Sequence, residues 1–202
     1  MREPRSGDTA TTLDALLAEV RACRVCAPGL PHEPRPVLRV ASSARLLIVG
    51  QAPGRRVHET GIPWNDPSGD RLRAWLGVSR ERFYDERVIA IIPIGLCYPG
   101  TVDGADRPPR RECAPLWQAR LRAHLPHVGL TLLVGSHAQA FHLAKRRLRT
   151  MTETVQAFER YLPDVLPLPH PSWRNTAWLA RHPWFEGDVL PELRRRVATL
   201  LG

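Results

Sequence analysis

Four cysteines are the residues of this chain best suited to binding a metal. Two residues separate Cys23 from Cys26, and fifteen separate Cys97 from Cys113. A close pair followed by two single thiols predicts one four-thiolate site assembled from three separate segments. A 4Fe-4S cluster, a zinc ion and inert buried thiols are the open alternatives. Because zinc ribbons normally use two close pairs, the spacing favours iron and sulfur over zinc.

Two short turns are the second candidate for chemistry. Gly50–Gly54 follows one apolar run, and His170–Ser172 follows another. Ligands of open parallel sheets bind beyond the carboxyl ends of the strands, so we expect both turns to border one crevice. The first turn has neither the spacing of a dinucleotide site nor the lysine of a P-loop, and the chain has no Gly-x-Ser-x-Gly elbow. The first turn can therefore bind a planar polar ligand through backbone amides and the side chain of Gln51.

Apolar periodicity predicts the elements that carry these turns. Buried strands are expected at 45–50, 88–92, 130–134 and 165–168. Helices are expected at 13–23, 68–77, 111–125, 136–148 and 189–201, the first of them capped by Thr12. The alternation of strands and helices predicts a single α/β domain with a parallel four-stranded sheet covered by helices on both faces. The stretch 98–111, rich in proline, glycine and arginine, is expected to be flexible.

The chain is basic as a whole. Its 202 residues include 29 lysines and arginines against 20 aspartates and glutamates, a net charge of +9. This excess favours a polyanionic partner such as DNA, although a GC-rich genome also gives an arginine-rich composition. No apolar run reaches the length of a membrane span, and residues 1–12 have no apolar core of a secretory signal. We therefore expect a cytoplasmic, nucleoid-associated monomer with a flexible segment 1–12, in which disulfides are the least favoured use of the thiols.

In their order, these motifs resemble the uracil-DNA glycosylase superfamily, and most closely its iron-sulfur family 4. Members have a helix ending in Cys-x-x-Cys, then Gly-Glu-Ala-Pro-Gly after a strand, Gly-x-Pro-Phe, two further cysteines and His-Pro-Ser. The matching segments here are Cys23 and Cys26, Gly50–Gly54, Gly61–Trp64, Cys97 and Cys113, and His170–Ser172. The resemblance implies a three-layer fold and a 4Fe-4S cluster on the four thiols; zinc is the alternative metal. It also implies that the partner is single- or double-stranded DNA that carries a damaged base.

The resemblance also implies roles for the turn residues. His170 would donate a hydrogen bond to the carbonyl of a flipped base, and Trp64 would stack on that base. Gln51 and Ala52 would belong to the base-binding turn. A neutral amide can bind the base or a water molecule, but it cannot act as a general base. From the residue types alone, a surface histidine and a core tryptophan remain alternatives at these two positions.

Contacts to DNA are expected from the loop that begins at His170. The resemblance implies that Pro171, Ser172, Trp173 and Arg174 press on the minor groove. Ser172 would contact a phosphate, and Trp173 or Arg174 would fill the space left by the flipped base, while Asn175 braces the turn. Other arginines can neutralise phosphates or act as solvated surface charges; they are Arg55, Arg56, Arg107, Arg110 and Arg111.

Three positions depart from the family pattern. Family 4 has Glu-Asp after the glycine turn, where this chain has Val57 and a histidine. The substitutes nearby are His58, Glu59, Asp66 and Asp70. The family asparagine that reads the edge of uracil falls on Pro93, which has no side-chain amide. Trp64 replaces a phenylalanine and changes the size of the pocket.

We expect a monofunctional glycosylase that hydrolyses the N-glycosidic bond of uracil or another deaminated or damaged base, without a covalent intermediate. The candidate catalytic residues are His170, Gln51, His58 and Asp66. The cluster is expected to be structural. Pro93 and the missing carboxylates favour an alternative, a catalytically inactive lesion-sensing or DNA-binding protein on the same fold. A metal-binding electron-transfer module, which needs neither His170 nor Trp64, is a further alternative.

Overall fold

The structure is a computed structural model and describes residues 11–202. We expect segment 1–12 to be flexible, and its residues 1–10 lie outside the described part of the chain. Helix α1 (Leu13–Ala22) comes first, and the side chain of Thr12 caps it by accepting a hydrogen bond from the Ala15 N–H. Between residues 11 and 202, no helix is both long and apolar enough to cross a bilayer.

Four parallel strands form the central sheet. The strands of the described chain are β1 (Leu46–Val49), β2 (Ile89–Ile91), β3 (Thr101–Val102), β4 (Ala105–Asp106), β5 (Leu130–Val134) and β6 (Val165–Leu168). The sheet has the order β2-β1-β5-β6, and all its neighbours are parallel. The predicted sheet is therefore confirmed.

Helices cover both faces of this sheet. The helices of the described chain that follow α1 are α2 (Arg55–Thr60), α3 (Pro67–Leu76), α4 (Arg80–Tyr84), α5 (Cys113–Ala123), α6 (Ser136–Leu143), α7 (Met151–Gln156), α8 (Thr176–Arg181) and α9 (Leu190–Leu201). Successive strand residues point to opposite faces. Leu46 and Ile48 pack in the layer that contains α3 and α9, whereas Leu47 and Val49 pack in the layer that contains α1, α5 and α6. The four strands of the central sheet are apolar except for Thr131 of β5, because both faces of the sheet are buried.

Local differences from the sequence prediction are of three kinds. The helix expected over 136–148 ends at Leu143, and a 3₁₀ turn at Ala144–Arg146 follows it. The stretch 98–111, expected to be flexible, contains the antiparallel hairpin β3–β4. Helices α2, α4, α7 and α8 were not predicted, because five or six residues are too few to show a clear helical period.

Candidate functional site

A cavity of about 530 Å³ opens at the carboxyl ends of the parallel strands. Strands β1 and β6 lie on either side of β5, so the turns after them face each other across the end of β5. The predicted site residues in the lining are Gln51, Ala52, Trp64, Asp66, His170, Pro171, Ser172, Trp173 and Arg174. Both turns therefore border one crevice, as expected, and the indole of Trp64 forms part of its wall.

The backbone of Trp64 adopts a conformation that is rare for a large residue. Its φ is 56°, in the left-handed region. The Trp64 carbonyl accepts hydrogen bonds from the hydroxyl of Tyr84 at 3.2 Å and from Nη1 of Arg73 at 3.3 Å. A Cβ on Gly69 would lie 1.7 Å from the same carbonyl oxygen, so α3 approaches Trp64 this closely only because position 69 is glycine. Strain that is held by its surroundings in this way is typical of functional sites.

The indole of Trp64 is also fitted closely into the cavity wall. A Cβ on Gly50 would lie 2.9 Å from Cζ2 of the indole, which requires glycine at the start of the first turn. The ring centroids of Trp64 and His170 are 5.4 Å apart and their planes are tilted by 34°. The two rings are thus neighbours in the wall, and they offer a planar ligand an aromatic surface beside a hydrogen-bonding group.

Burial determines the protonation of His170. It lowers the pKa of the imidazole below the ordinary value of about 6.5, and the nearby carboxylate of Asp66 opposes that shift only in part. The ring is therefore neutral at pH 7 and has one N–H to donate. The side-chain amide of Asn175 donates to the His170 carbonyl at 2.7 Å, which is the expected brace of the loop.

The loop after His170 presents an aromatic side chain to solvent. Trp173 is 74% exposed, and the guanidinium of Arg174 lies over its ring at 5.6 Å from the centroid. Arg174 also donates to the carbonyl of Gly104 at 2.5 Å, and Arg71 donates to the carbonyl of Ser172 at 3.1 Å. Two arginines therefore fix the loop, while its indole stays at the mouth of the cavity.

Two buried glutamines hold the ends of the outer strands of the sheet. Nε2 of Gln118, on α5, donates to the carbonyl of Pro93 at 2.8 Å, just beyond β2. Nε2 of Gln139, on α6, donates to the carbonyl of Leu168 at 2.9 Å, two residues before His170. Pro93, at which the resemblance to family 4 predicts an asparagine, lines the cavity and has no side-chain amide.

His58 does not line the cavity, although it was a candidate catalytic residue. Its ring stacks on His32 at 5.3 Å between centroids and lies 5.9 Å from the ring of Tyr98. The preceding residue Val57 lines the cavity instead, because successive residues of α2 point about 100° apart. Of the four substitutes for the family carboxylates, Asp66 alone is part of the cavity lining as the structure describes it.

Asp106 lines the cavity and was missed by the sequence interpretation. It ends the hairpin β3–β4, whose turn residues Asp103 and Gly104 have φ values of 49° and 73°. An Asp-Gly pair is a strong hairpin signal and could have revealed these strands. The amide of Gln51 donates to the Arg107 carbonyl at 3.3 Å and ties the hairpin to the first turn.

The four cysteines are free thiols, and the other three lie near enough to Cys97 to affect its pKa. Burial, followed by the nearby thiols of Cys26, Cys113 and Cys23, raises the pKa of Cys97 to about 12. Burial is also the largest cause that raises the pKa of Cys113 to about 11. In the described chain, no three metal-ligating side chains are grouped so that they could hold a metal ion. The chemistry of the donors fits a four-thiolate site, whereas their arrangement is not closed around a metal.

A model of the uracil DNA glycosylase superfamily matches residues 39–194. The match includes all four strands of the central sheet, both cavity turns, Cys97 and Cys113, and it begins after Cys23 and Cys26. It spans more than half of the chain and contains Gln51, Trp64 and His170, which the fold brings together in one cavity. On these grounds, the chain belongs to the uracil DNA glycosylase superfamily.

Proposed function

We propose that this protein is a DNA glycosylase that hydrolyses the N-glycosidic bond of uracil, or of another deaminated or damaged base, after the base has been flipped out of DNA. The observation that carries the proposal is the meeting of Gln51, Trp64 and His170 in one cavity. An indole offers a stacking surface, an amide offers hydrogen bonds to the base edge, and a neutral imidazole can donate to a base carbonyl. Membership of the superfamily supports the same activity.

The chemistry needs two kinds of charge stabilisation. As the bond breaks, negative charge develops on the leaving base and positive charge on the deoxyribose. A hydrogen bond from the neutral ring of His170 to a base carbonyl strengthens as that negative charge grows. Trp173 has the size and the exposure needed to fill the space that the flipped base leaves in the stack.

Cleavage of a panel of oligonucleotides tests the proposal. Each duplex and each single strand carries one uracil, hypoxanthine or xanthine, and abasic sites are detected by alkaline strand scission. We expect at least one base to be released and His170→Ala to slow its release about 100-fold or more, because His170 acts on the charged transition state. His127→Ala is the matched control, since His127 is exposed at the opposite end of β5. Absence of cleavage of every base by the unaltered protein would refute the activity.

Pro93 favours a second candidate, a lesion-binding protein without catalysis. A site built to hydrogen-bond a base discriminates through that pairing, and proline supplies none. This candidate predicts that DNA with one of the modified bases binds more tightly than unmodified DNA while every base stays intact. Release of any base that depends on His170 would reject it.

We also propose that Cys23, Cys26, Cys97 and Cys113 hold a 4Fe-4S cluster, as in the iron-sulfur family 4, with zinc as the alternative metal. The donor set of four thiols supports the proposal, as do the effects of the neighbouring thiols on the Cys97 pKa. Such a cluster would tie the end of α1 to the start of α5 and would be structural. Cys26 lies between these two helices in the chain, and Cys113 is the first residue of α5.

Metal analysis of anaerobically purified protein tests the cluster. We expect about four irons per chain and a brown colour, and we expect Cys97→Ser to lose iron and to unfold at a lower temperature. Val25→Ser is the control, because Val25 is 61% exposed and lies within the same Cys-x-x-Cys segment. Stoichiometric zinc without a visible absorption band would show that the bound metal is zinc and not iron. Protein that contains neither metal would show that the four thiols are inert.

A further inference from the structure

Two carboxylates line the cavity in the described chain, Asp66 and Asp106. Asp66 already has a structural task, because its Oδ1 accepts a hydrogen bond from the Gly69 N–H at 2.8 Å and caps α3. Within residues 11–202, no group forms a hydrogen bond or an ion pair with the carboxyl of Asp106, and only burial and nearby charges act on it. Asp106 is therefore the cavity carboxylate that is free to act on a ligand.

The carboxyl of Asp106 faces the turn that follows β1. Its Oδ2 lies 3.6 Å from the place where a Cβ would stand on Gly54. The residue as a whole is exposed, so water reaches it from the outer side while its carboxyl borders the cavity. A carboxylate in this setting can meet both a bound ligand and an incoming water molecule.

The hairpin β3–β4 holds Asp106 between the two turns of the site. Gln51, on the first turn, donates to the carbonyl of Arg107, the residue after Asp106. Arg174, on the His170 loop, donates to the carbonyl of Gly104. One side chain from each turn of the cavity therefore holds the hairpin that carries Asp106.

The electrostatic environment suits a base. Partial burial of the carboxyl is the largest cause that raises the pKa of Asp106, and Asp66 raises it further, whereas Arg174 and Arg55 act in the opposite direction. A raised pKa makes an ionised carboxylate a stronger proton acceptor, and shifts of this kind are typical of catalytic positions.

We propose that Asp106 is the catalytic carboxylate that faces the deoxyribose during base release. This inference rests on the proposed glycosylase function. Asp106 would substitute for the family carboxylates that are absent at Val57 and His58, although it lies in a different segment of the chain.

The reaction balances without a co-reactant other than water. The bond between C1′ and the base nitrogen breaks with its electron pair on the base, and the carboxylate of Asp106 stabilises the cationic sugar that remains. A water oxygen then bonds to C1′, and Asp106 accepts the proton that this water loses. The base takes up one proton from solvent, and Asp106 returns its proton to solvent.

Single-turnover cleavage compares Asp106→Asn with Asp103→Asn. Both variants remove one negative charge from the same hairpin, but Asp103 occupies the turn outside the cavity lining. Asparagine tolerates the positive φ at position 103, so the hairpin is retained. We expect Asp106→Asn to slow cleavage about 100-fold with unchanged DNA affinity, and Asp103→Asn to have no effect.

Binding of abasic-site analogues tests Asp106 without requiring cleavage. A pyrrolidine analogue carries a positive charge where the cationic sugar develops, and a tetrahydrofuran analogue is neutral. We expect the unaltered protein and Asp103→Asn to prefer the cationic analogue by roughly tenfold, and Asp106→Asn to lose that preference, because one attractive carboxylate has been neutralised.

The two measurements separate the two proposals. If base release is equally fast in both variants, or if the preference for the cationic analogue survives Asp106→Asn, the assignment of Asp106 is overturned while the glycosylase function stands. If no base is released and yet the preference depends on Asp106, the glycosylase function fails and the placement of Asp106 against the sugar stands. If no base is released and neither analogue is preferred, both proposals fail.

Discussion

Small residues determine where the large side chains of the cavity can lie. The indole of Trp64 occupies the space that a Cβ on Gly50 would need, and its carbonyl occupies the space that a Cβ on Gly69 would need. The left-handed backbone of Trp64 is retained because Tyr84 and Arg73 bind that carbonyl. At the residue scale, the aromatic wall thus depends on glycines at two separate positions.

Gly50→Ala is expected to displace the indole. The new Cβ would lie 2.9 Å from Cζ2 of Trp64, and overpacking of this kind costs about 1–3 kcal/mol of stability. We expect slower base release and weaker binding of DNA that carries the preferred base. The effect should shrink in the Trp64→Phe background, because the smaller ring lacks the atom that clashes. Gly187→Ala is the control, since no atom of the described part of the chain lies within 4 Å of a Cβ at that position. Equal effects of Gly50→Ala in both backgrounds would contradict this account.

At the scale of elements, helices fix the ends of the outer strands through buried amides. Gln118 and Gln139 each donate to a carbonyl at the carboxyl end of the sheet, and the Oε1 atom of each is buried without a partner among residues 11–202. An unpaired buried acceptor lowers stability, so the net contribution of each glutamine to stability is small. Their main effect is therefore to position Pro93 and the loop that carries His170.

Gln139→Met tests this positioning role. The change removes one hydrogen bond together with the unpaired Oε1, and the Leu168 carbonyl keeps its bond from the N–H of Gly135. We expect the free energy of unfolding to change by less than about 1.5 kcal/mol, while base release slows several-fold at unchanged DNA affinity. Chemical denaturation and single-turnover cleavage measure the two effects, with Gln156→Met on the surface of α7 as control. A large loss of stability with normal cleavage would show that Gln139 is structural only.

At the scale of the whole molecule, the excess of basic residues brings a histidine on α6 near an arginine on α5. His142 on α6 is mostly buried, its Nε2 has no hydrogen-bond partner in the described chain, and Arg122 on α5 is near. Burial first, and then the charge of Arg122, lowers the pKa of His142 to about 4. Protonation of this histidine is therefore disfavoured in the folded protein.

The free energy of unfolding should accordingly depend on pH. In the unfolded chain His142 has a pKa of about 6.5, so between pH 6.5 and about 4 the unfolded state binds more protons than the folded state. Above this window His142 does not lower the free energy of unfolding. Within the window the free energy of unfolding falls with decreasing pH, by up to about 1.4 kcal/mol per pH unit. Denaturant titrations at several pH values should show a smaller slope in His142→Gln than in His127→Gln, which alters an exposed histidine. Identical slopes would exclude His142 as the source.

The sequence by itself determined the central sheet, the order of the motifs and the meeting of two turns at one edge. A continuous apolar run indicates a strand that is buried on both faces. Because the strands are parallel, the turns that follow them lie at the same edge of the sheet. These are local properties of the chain combined with one general rule of topology.

The tertiary structure alone decided which side chains reach the cavity. Val57 lines it and His58 does not, because a rotation of about 100° per residue separates neighbours on a short helix whose orientation is set by packing. Asp106 reaches the cavity because hydrogen bonds from Gln51 and Arg174 hold its hairpin there. Contacts between residues that are distant in the chain leave no periodic pattern along it, which is why the sequence could not show them.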